Sequence, residues 1–366
     1  MSTRAEAFKA AQAALHTSAC LVNDEAIVCQ GDSLELLRRM PPGSVSLVLT
    51  DPPYHSTKKA NIYGDKDFEE DQHFIEWMQE YAVEWRRVLR PNGSLFMFCS
   101  SAMAARLEVM LASSYNILSS IVWTKPNEPG YDGWKGKMNK AALRQFYPHS
   151  ERIIFAEPAV EGNLHRSPFA QYLREVRKQS GLSGHELTEI IGAYGAVNHG
   201  GAVSNWETGR NIPSREQYRK MCDAFIGTGK VKFMPPYEDV IRIFRMDGSK
   251  QFTDVWDFYS VRPYRGKHPA EKPSDMLTHM IEATTFPGDI VLDCFSGSGS
   301  TALAALSLGR RAIAIDIEEQ WATQAAARVG TVSRIEASDV APKERKPQKA
   351  AARSQSGLPL FAGAAD

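Results

Sequence analysis

Apolar positions along the chain follow two rhythms. Largely apolar runs at 26–29, 45–50, 94–99, 117–123, 153–156, 290–293 and 312–316 are rich in β-branched and aromatic residues. Such runs predict strands covered on both faces. Between them apolar residues recur at helical spacing, most plainly at Phe74, Trp77, Met78, Tyr81, Trp85 and Val88. Further helices are predicted over 34–40, 102–111, 302–308 and from the strand at 312–316 to about 329. Asp32 or Ser33 stands where an N-cap belongs, and Pro91-Asn92-Gly93 predicts a turn between a helix and the next strand. Strands alternating with helices predict an α/β fold with a doubly wound, mostly parallel sheet. The rhythm lapses in two places: residues 1–25 read as a loose helical lead-in, and short helices at 169–178, 182–191 and 217–225 read as a small helical insert.

Composition narrows this picture only slightly. At 366 residues there is room for one large α/β domain and a smaller addition. Formal net charge is zero, so any nucleic-acid contact has to come from local basic patches. No run of about 18 apolar residues and no signal-peptide pattern occur, which predicts a cytoplasmic protein with no membrane partner. Five cysteines stand far apart without a C-x-x-C pair, which argues against a zinc site and for a reducing compartment. No metal is expected.

Candidate chemistry begins at Asp51-Pro52-Pro53-Tyr54, directly after the strand at 45–50. Two prolines stop the strand, because neither donates a ladder hydrogen bond. One carboxylate, a stiff backbone and an aromatic ring are thereby left at a carboxyl strand end, where open α/β sheets bind ligands. An exocyclic amino group on adenine or cytosine is a poor nucleophile, since its lone pair is delocalised into the ring. Asp51 can accept one of its N–H groups and the Pro52 carbonyl the other, while Tyr54 stacks on the base. That is positioning and charge stabilisation without covalent catalysis. The competing reading is a proline-rich turn with Asp51 as a cap. Lys58 and Lys59, in the polar stretch that follows, fit either a loop over the site that meets phosphate or a solvated loop.

A second half-site lies far along the chain. Asp293-Cys294-Phe295-Ser296-Gly297-Ser298-Gly299-Ser300-Thr301 is a small-residue turn between a strand and a helix, and Asp316 ends the next strand. Strand, glycine turn, helix, strand and terminal acid make a nucleotide-binding half-fold, with Asp316 placed for ribose hydroxyls. No G-K-[ST] follows, which argues against a triphosphate. An NAD site competes, although the spacing is not G-x-G-x-x-G.

Taken together, the D-P-P-Y element at 51–54 and the F-x-G-x-G element at 295–299 resemble the permuted β group of amino-methylating DNA methyltransferases. His268-Pro269-Ala270-Glu271-Lys272-Pro273 is similar to that group's H-P-x-x-K-P stretch, and Arg90-Pro91-Asn92-Gly93-Ser94 to its turn before the fifth strand. The resemblance implies a Rossmann-like methyltransferase fold and S-adenosylmethionine as cofactor. It implies that Lys272 and Pro273 help hold the methionine part, that Asp32 reads the cofactor adenine and that Asp316 binds its ribose. It also implies direct transfer to a flipped base, adenine N6 rather than cytosine N4 because Asp, not Ser, stands at 51. The organisation implied is a lead-in at 1–25, a catalytic half at 26–157, a target-recognition insert at 158–265, a cofactor half at 266–333 and a disordered tail at 334–366. A DNA-binding regulator on an inactive methylase scaffold is the competing class.

Within the insert, Ser204-Asn205-Trp206-Glu207-Thr208-Gly209-Arg210 resembles the end of the recognition helix in a repressor-type helix-turn-helix. Double-stranded DNA is then the expected partner. Asn198, His199, Ser204 and Asn205 become candidates for base edges, and Arg174, Arg177, Lys178, Arg210 and Arg215 for phosphate. A solvated helical insert is the other reading. A homodimer would suit a palindromic target. In the tail, Gln355, Leu358, Leu360 and Phe361 resemble the peptide that binds the bacterial sliding clamp, although the same run could fold back on its own domain. The resemblance places the protein in a bacterial or phage-infected cytoplasm, near the nucleoid.

Overall fold

Nine strands form one sheet among the described residues of this computed structural model, which are 3–55, 68, 70–126, 139–146, 149–160, 167–193, 201–246 and 251–331. They are β1 (Ala19–Val22), β2 (Ala26–Gln30), β3 (Val45–Thr50), β4 (Leu89–Ser100), β5 (Tyr115–Trp123), β6 (Glu151–Pro158), β7 (Val255–Trp256), β8 (Ile290–Asp293) and β9 (Arg311–Asp316), in the order β1-β2-β9-β8-β3-β4-β6-β5-β7. The central strands β2, β9, β8, β3 and β4 run parallel. On the flanks β1 and β6 run antiparallel to their neighbours.

Alternate residues of the central strands feed two separate cores. Ile27, Val48, Leu95 and Met97 face one side, under α1 (Arg4–Leu15), α2 (Ser33–Arg39), α3 (Asp71–Val88) and α4 (Ala104–Leu111). Val28, Leu47, Leu49, Phe96 and Phe98 face the other. Of the four helices α5 (Pro168–Ser180), α6 (Gly184–Ile191), α7 (Ala202–Glu207) and α8 (Arg215–Gly227), none joins either sheet core; they close on their own, around Phe169, Leu173, Leu187, Trp206, Met221 and Phe225. The short α9 (Tyr237–Val240) follows them. The second sheet face is covered by α10 (Ser274–Thr284), α11 (Ser300–Ser307) and α12 (Glu319–Gly330).

The connections fix where a ligand belongs. From β3 the chain crosses through α3 to β4 on one side; from β8 it crosses through α11 to β9 on the other. β3 and β8 are parallel neighbours, pairing Leu47 with Val291 and Val48 with Leu292. The topological switch point of the sheet therefore lies between them, at the carboxyl ends of both.

Three local expectations are corrected. The lead-in is more ordered than composition indicates: α1 opens on a Thr3–Glu6 capping box, and 19–22 adds the antiparallel edge strand β1. The turn predicted at Pro91-Asn92-Gly93 lies inside a continuous β4, whose register against β3 jumps between Leu89 and Ser94. The bulge is held from outside, because Arg90 pairs with Asp239 at 3.0 Å and Asn92 donates to the carbonyls of Glu238 and Ile241. Finally, β6 inserts antiparallel between β4 and β5, a pairing that the residue pattern does not encode.

Candidate active site

The carboxyl ends of β3 and β8 open into a cavity of about 1300 Å³. Asp51, Pro52, Pro53 and Tyr54 line one side; Asp293, Phe295, Ser296, Gly297, Ser298, Ser300, Thr301 and Asp316 line another. Two segments some 240 residues apart in sequence are thus brought to one hollow.

Asp51 is held by an ion pair. Lys272 Nζ donates to Asp51 Oδ2 and, at 3.3 Å, to the Ala270 carbonyl, and it lies 3.7 Å from Glu151 Oε2. Its ammonium sits over the Phe98 ring at 4.9 Å and the Tyr54 ring at 5.5 Å. The other carboxylate oxygen, Asp51 Oδ1, is buried without a hydrogen-bond partner. Tyr54 donates its hydroxyl to Glu151 Oε2 at 2.9 Å, and Lys125 donates to Glu151 Oε1. Two carboxylates and two ammonium groups therefore share one buried network, which leaves no uncompensated charge.

Burial pushes the Asp51 carboxyl above its usual range, against the pull of Lys272 and with a further push from Glu151. Burial also pushes Glu151 up, but the two lysines outweigh it and hold that carboxyl below its ordinary value. Lys272 is lowered by burial and raised by Asp51 and Glu151, with a net rise that keeps it an ammonium.

On the β8 side the turn is braced through Asp293. Its Oδ1 accepts from Thr50 Oγ1 at 3.1 Å and from the Phe295 amide at 3.1 Å, and burial raises its carboxyl to about 6. Asp316 accepts from the amides of Gly297 at 2.7 Å and Glu318 at 3.0 Å, so the terminal acid of β9 also shapes the turn. Gly297 has φ +47°, and a Cβ there would lie 2.9 Å from His268 Nδ1. Phe295 packs at a tilt against Trp77 and Tyr81, ring centroids 5.8 and 5.0 Å away, and forms an apolar wall. The thiol of buried Cys294 serves the packing, its Sγ accepting from Trp85 Nε1 at 3.3 Å. Lined by an aromatic wall, a glycine turn, two acids and Ser296, whose Oγ has no hydrogen-bond partner, the hollow fits a nucleoside-bearing cofactor.

Several expected roles shift. Lys272, which the resemblance assigned to the cofactor, lines the cavity and is also engaged with Asp51. Pro273 is the N-cap residue of α10 and does not line the hollow. Gly299 admits α12 instead of a ligand, since a Cβ there would lie 2.9 Å from Ala325 Cβ. Asp32 caps α2, accepting from the amides of Leu34 and Glu35, while still lining the cavity. Arg177 is withdrawn from the phosphate candidates, because it grips both oxygens of Glu207 and ties α5 to α7. Arg174 donates to the Glu207 carbonyl at 3.0 Å, and Arg215 pairs with Glu238 and lies over the Tyr237 ring, so both serve the fold as well. Lys178, Ser204 and Arg210 are exposed and Asn205 is half-buried. Lys58, Lys59, Asn198, His199, Gln355, Leu358, Leu360 and Phe361 lie outside the described residues.

Glu151 and Lys125 were missed by sequence reasoning. Each reads locally as an ordinary charge flanking an apolar run, and only the β4-β6-β5 pairing brings them to Tyr54. Lys125 precedes Pro126, a position that ordinarily favours extended backbone. Its φ of +49° makes it the one non-glycine residue with positive φ among the described residues.

A family described as DNA methylase, N6_N4_Mtase, matches residues 45–327. The chain is 25% identical over 337 residues to the DNA adenine methyltransferase YhdJ of Escherichia coli, covering 91% of this chain and 92% of that protein. It is 24% identical over 317 residues to the type II methyltransferase M.EcaI of Enterobacter cloacae, covering 81% and 67%. Among solved structures, the cytosine-N4-specific PvuII DNA methyltransferase is similar at 17% identity and TM-score 0.49, covering 85% of this chain and 89% of that one.

Proposed function

The chain belongs to the N6_N4_Mtase family of DNA methylases, and on that premise we propose that it moves a methyl group from S-adenosylmethionine to the exocyclic N6 of an adenine flipped out of double-stranded DNA. The observation that carries the reading is the shared hollow: Asp51, whose Oδ1 has no hydrogen-bond partner, and the glycine turn after β8 line one cavity. S-adenosylmethionine supplies an electrophilic methyl group on a sulfonium. Phe295, Ser296, Gly297, Asp316 and Asp32 are the residues proposed to hold it.

The rest is the work of this chain. Asp51 Oδ1 accepts one amino N–H of the base and the Pro52 carbonyl accepts the other, which frees the nitrogen lone pair. Tyr54 supplies a ring face against the base. The target has to leave the duplex, because its amino group is paired and stacked inside it. Asp at position 51 and the adenine-methylating relative from Escherichia coli favour N6 over cytosine N4.

The recognition of DNA is proposed for the α5–α8 helices, with α7 as the helix-turn-helix recognition helix. Exposed Ser204 and half-buried Asn205 would meet base edges, and exposed Arg210 and Lys178 would meet phosphate. Two copies on a palindrome, and a clamp tether through Leu358, Leu360 and Phe361, complete the proposal. A Leu360→Ala/Phe361→Ala chain is expected to lose binding to purified sliding clamp. Single-molecule sequencing of DNA from a host expressing the protein tests the central reading. N6-methyladenine in one recurring context is expected; N4-methylcytosine would overturn the base assignment, and unmodified DNA the activity.

A further inference from the structure

We infer that Glu151 is a positioning residue of this active site: backed by Lys125, it pins the Tyr54 hydroxyl and shares Lys272 with Asp51, so that the ring facing the base and the one free carboxylate oxygen are both fixed before anything binds. The inference rests on the methyl-transfer reading above.

The geometry leaves Glu151 no direct part in the chemistry. Its Oε1 takes Lys125 and its Oε2 takes the Tyr54 hydroxyl, so neither oxygen is left over for a base. Asp51 differs in one respect, because Lys272 occupies only Oδ2 and Oδ1 remains unpartnered. A tyrosine ring can swing about its Cα–Cβ bond unless packing or a bond to its hydroxyl restrains it. Here the bond to Glu151 restrains it, and Glu151 is restrained in turn by a lysine held at positive φ. Lys125 stands at φ +49°, pairs with Glu151 and has its ammonium 4.8 Å from the Trp123 ring. The same carboxylate draws Lys272 from the far side, at 3.7 Å. Lys272 thus stands between two acids and holds the Asp51 carboxylate in one orientation.

The groups facing Asp51 are Lys272, Glu151 and Tyr54, with Cys99 of β4 and Asp293 of β8 further off. Of these, Glu151 is the carboxylate whose charge raises Asp51, so removing that charge lowers the pH at which Asp51 ionises.

The test is Glu151→Gln in the full chain, with duplex DNA and labelled S-adenosylmethionine. A loosened ring and carboxylate are expected to lower kcat about 10- to 100-fold. Cofactor affinity measured by calorimetry should stay within about threefold, since the cofactor-side residues are untouched. The acid limb of the kcat profile should move to lower pH, which a loss of structure alone would not do. Full activity, or an equal loss at every pH with the limb in place, overturns the inference. If Glu151→Gln does not fold, Tyr54→Phe removes the same bond from the other end. It should then cost about tenfold in kcat, and an unchanged rate overturns the inference. Wild-type protein that transfers no methyl group overturns the underlying reading instead.

Discussion

Asp51 and Asp293 show how much burial decides at the scale of a residue. Both acids stand at the carboxyl ends of neighbouring parallel strands, Asp51 just past β3 and Asp293 last in β8, yet one is held by an ammonium and the other by a hydroxyl and an amide. Asp293, raised to about 6, binds more protons folded than unfolded between its ordinary value and that figure. Its contribution to stability is therefore full below the ordinary carboxylate range and is lost as pH rises through about 6. Asp293→Asn is expected to raise the melting temperature at pH 7.5, by on the order of 2 kcal/mol of stability. The gain should shrink toward pH 4, and a differential scan at both pH values checks it. Which acids belonged to the site was legible in the sequence, because Asp51, Asp293 and Asp316 each end an apolar run at a turn. What each acid bonds to was not, since Lys272 reaches Asp51 from the loop before α10 and Thr50 reaches Asp293 across the β3–β8 pairing, neither of which a local pattern records.

Elements are legible to the extent that their signals are local. β3, β8 and β9, the long α3 and the cap on α2 follow from apolar runs, helical spacing and Asp before a helix. The bulge in β4 and the antiparallel β6 depend on distant partners, Asp239 for one and β5 for the other, and so were not read. Gly299 belongs to this scale. At φ +77° and against Ala325, it sets how closely the turn after β8 meets α12. Gly299→Ala should cost about 2–3 kcal/mol, from the strained backbone and the overpacked contact together; denaturant unfolding measures it.

Arg177 and Arg210 make a second comparison between elements. Arg177→Ala breaks the clamp between α5 and α7 and is expected to lower stability by about 1–3 kcal/mol. It should leave the salt dependence of DNA binding unchanged. Arg210→Ala should leave stability alone and reduce the slope of log affinity against log salt by about 1. Titrations of a DNA duplex at several salt concentrations separate the two.

For the molecule as a whole, what matters is that β3 and β8 stand side by side with their crossovers running in opposite directions. That arrangement turns two short sequence elements, far apart in the chain, into facing walls of one hollow. The helices α5–α8 enclose a core of their own, so the DNA recognition proposed for them can be altered separately from methyl transfer. The most direct test of the account is to incubate the full chain with methyl-labelled S-adenosylmethionine and mixed-sequence duplex DNA, then digest the product to nucleosides. Label in N6-methyladenine, reduced about 100-fold or more by Asp51→Asn, is the predicted result. Unlabelled DNA from the wild-type protein, or label that survives Asp51→Asn undiminished, would contradict it.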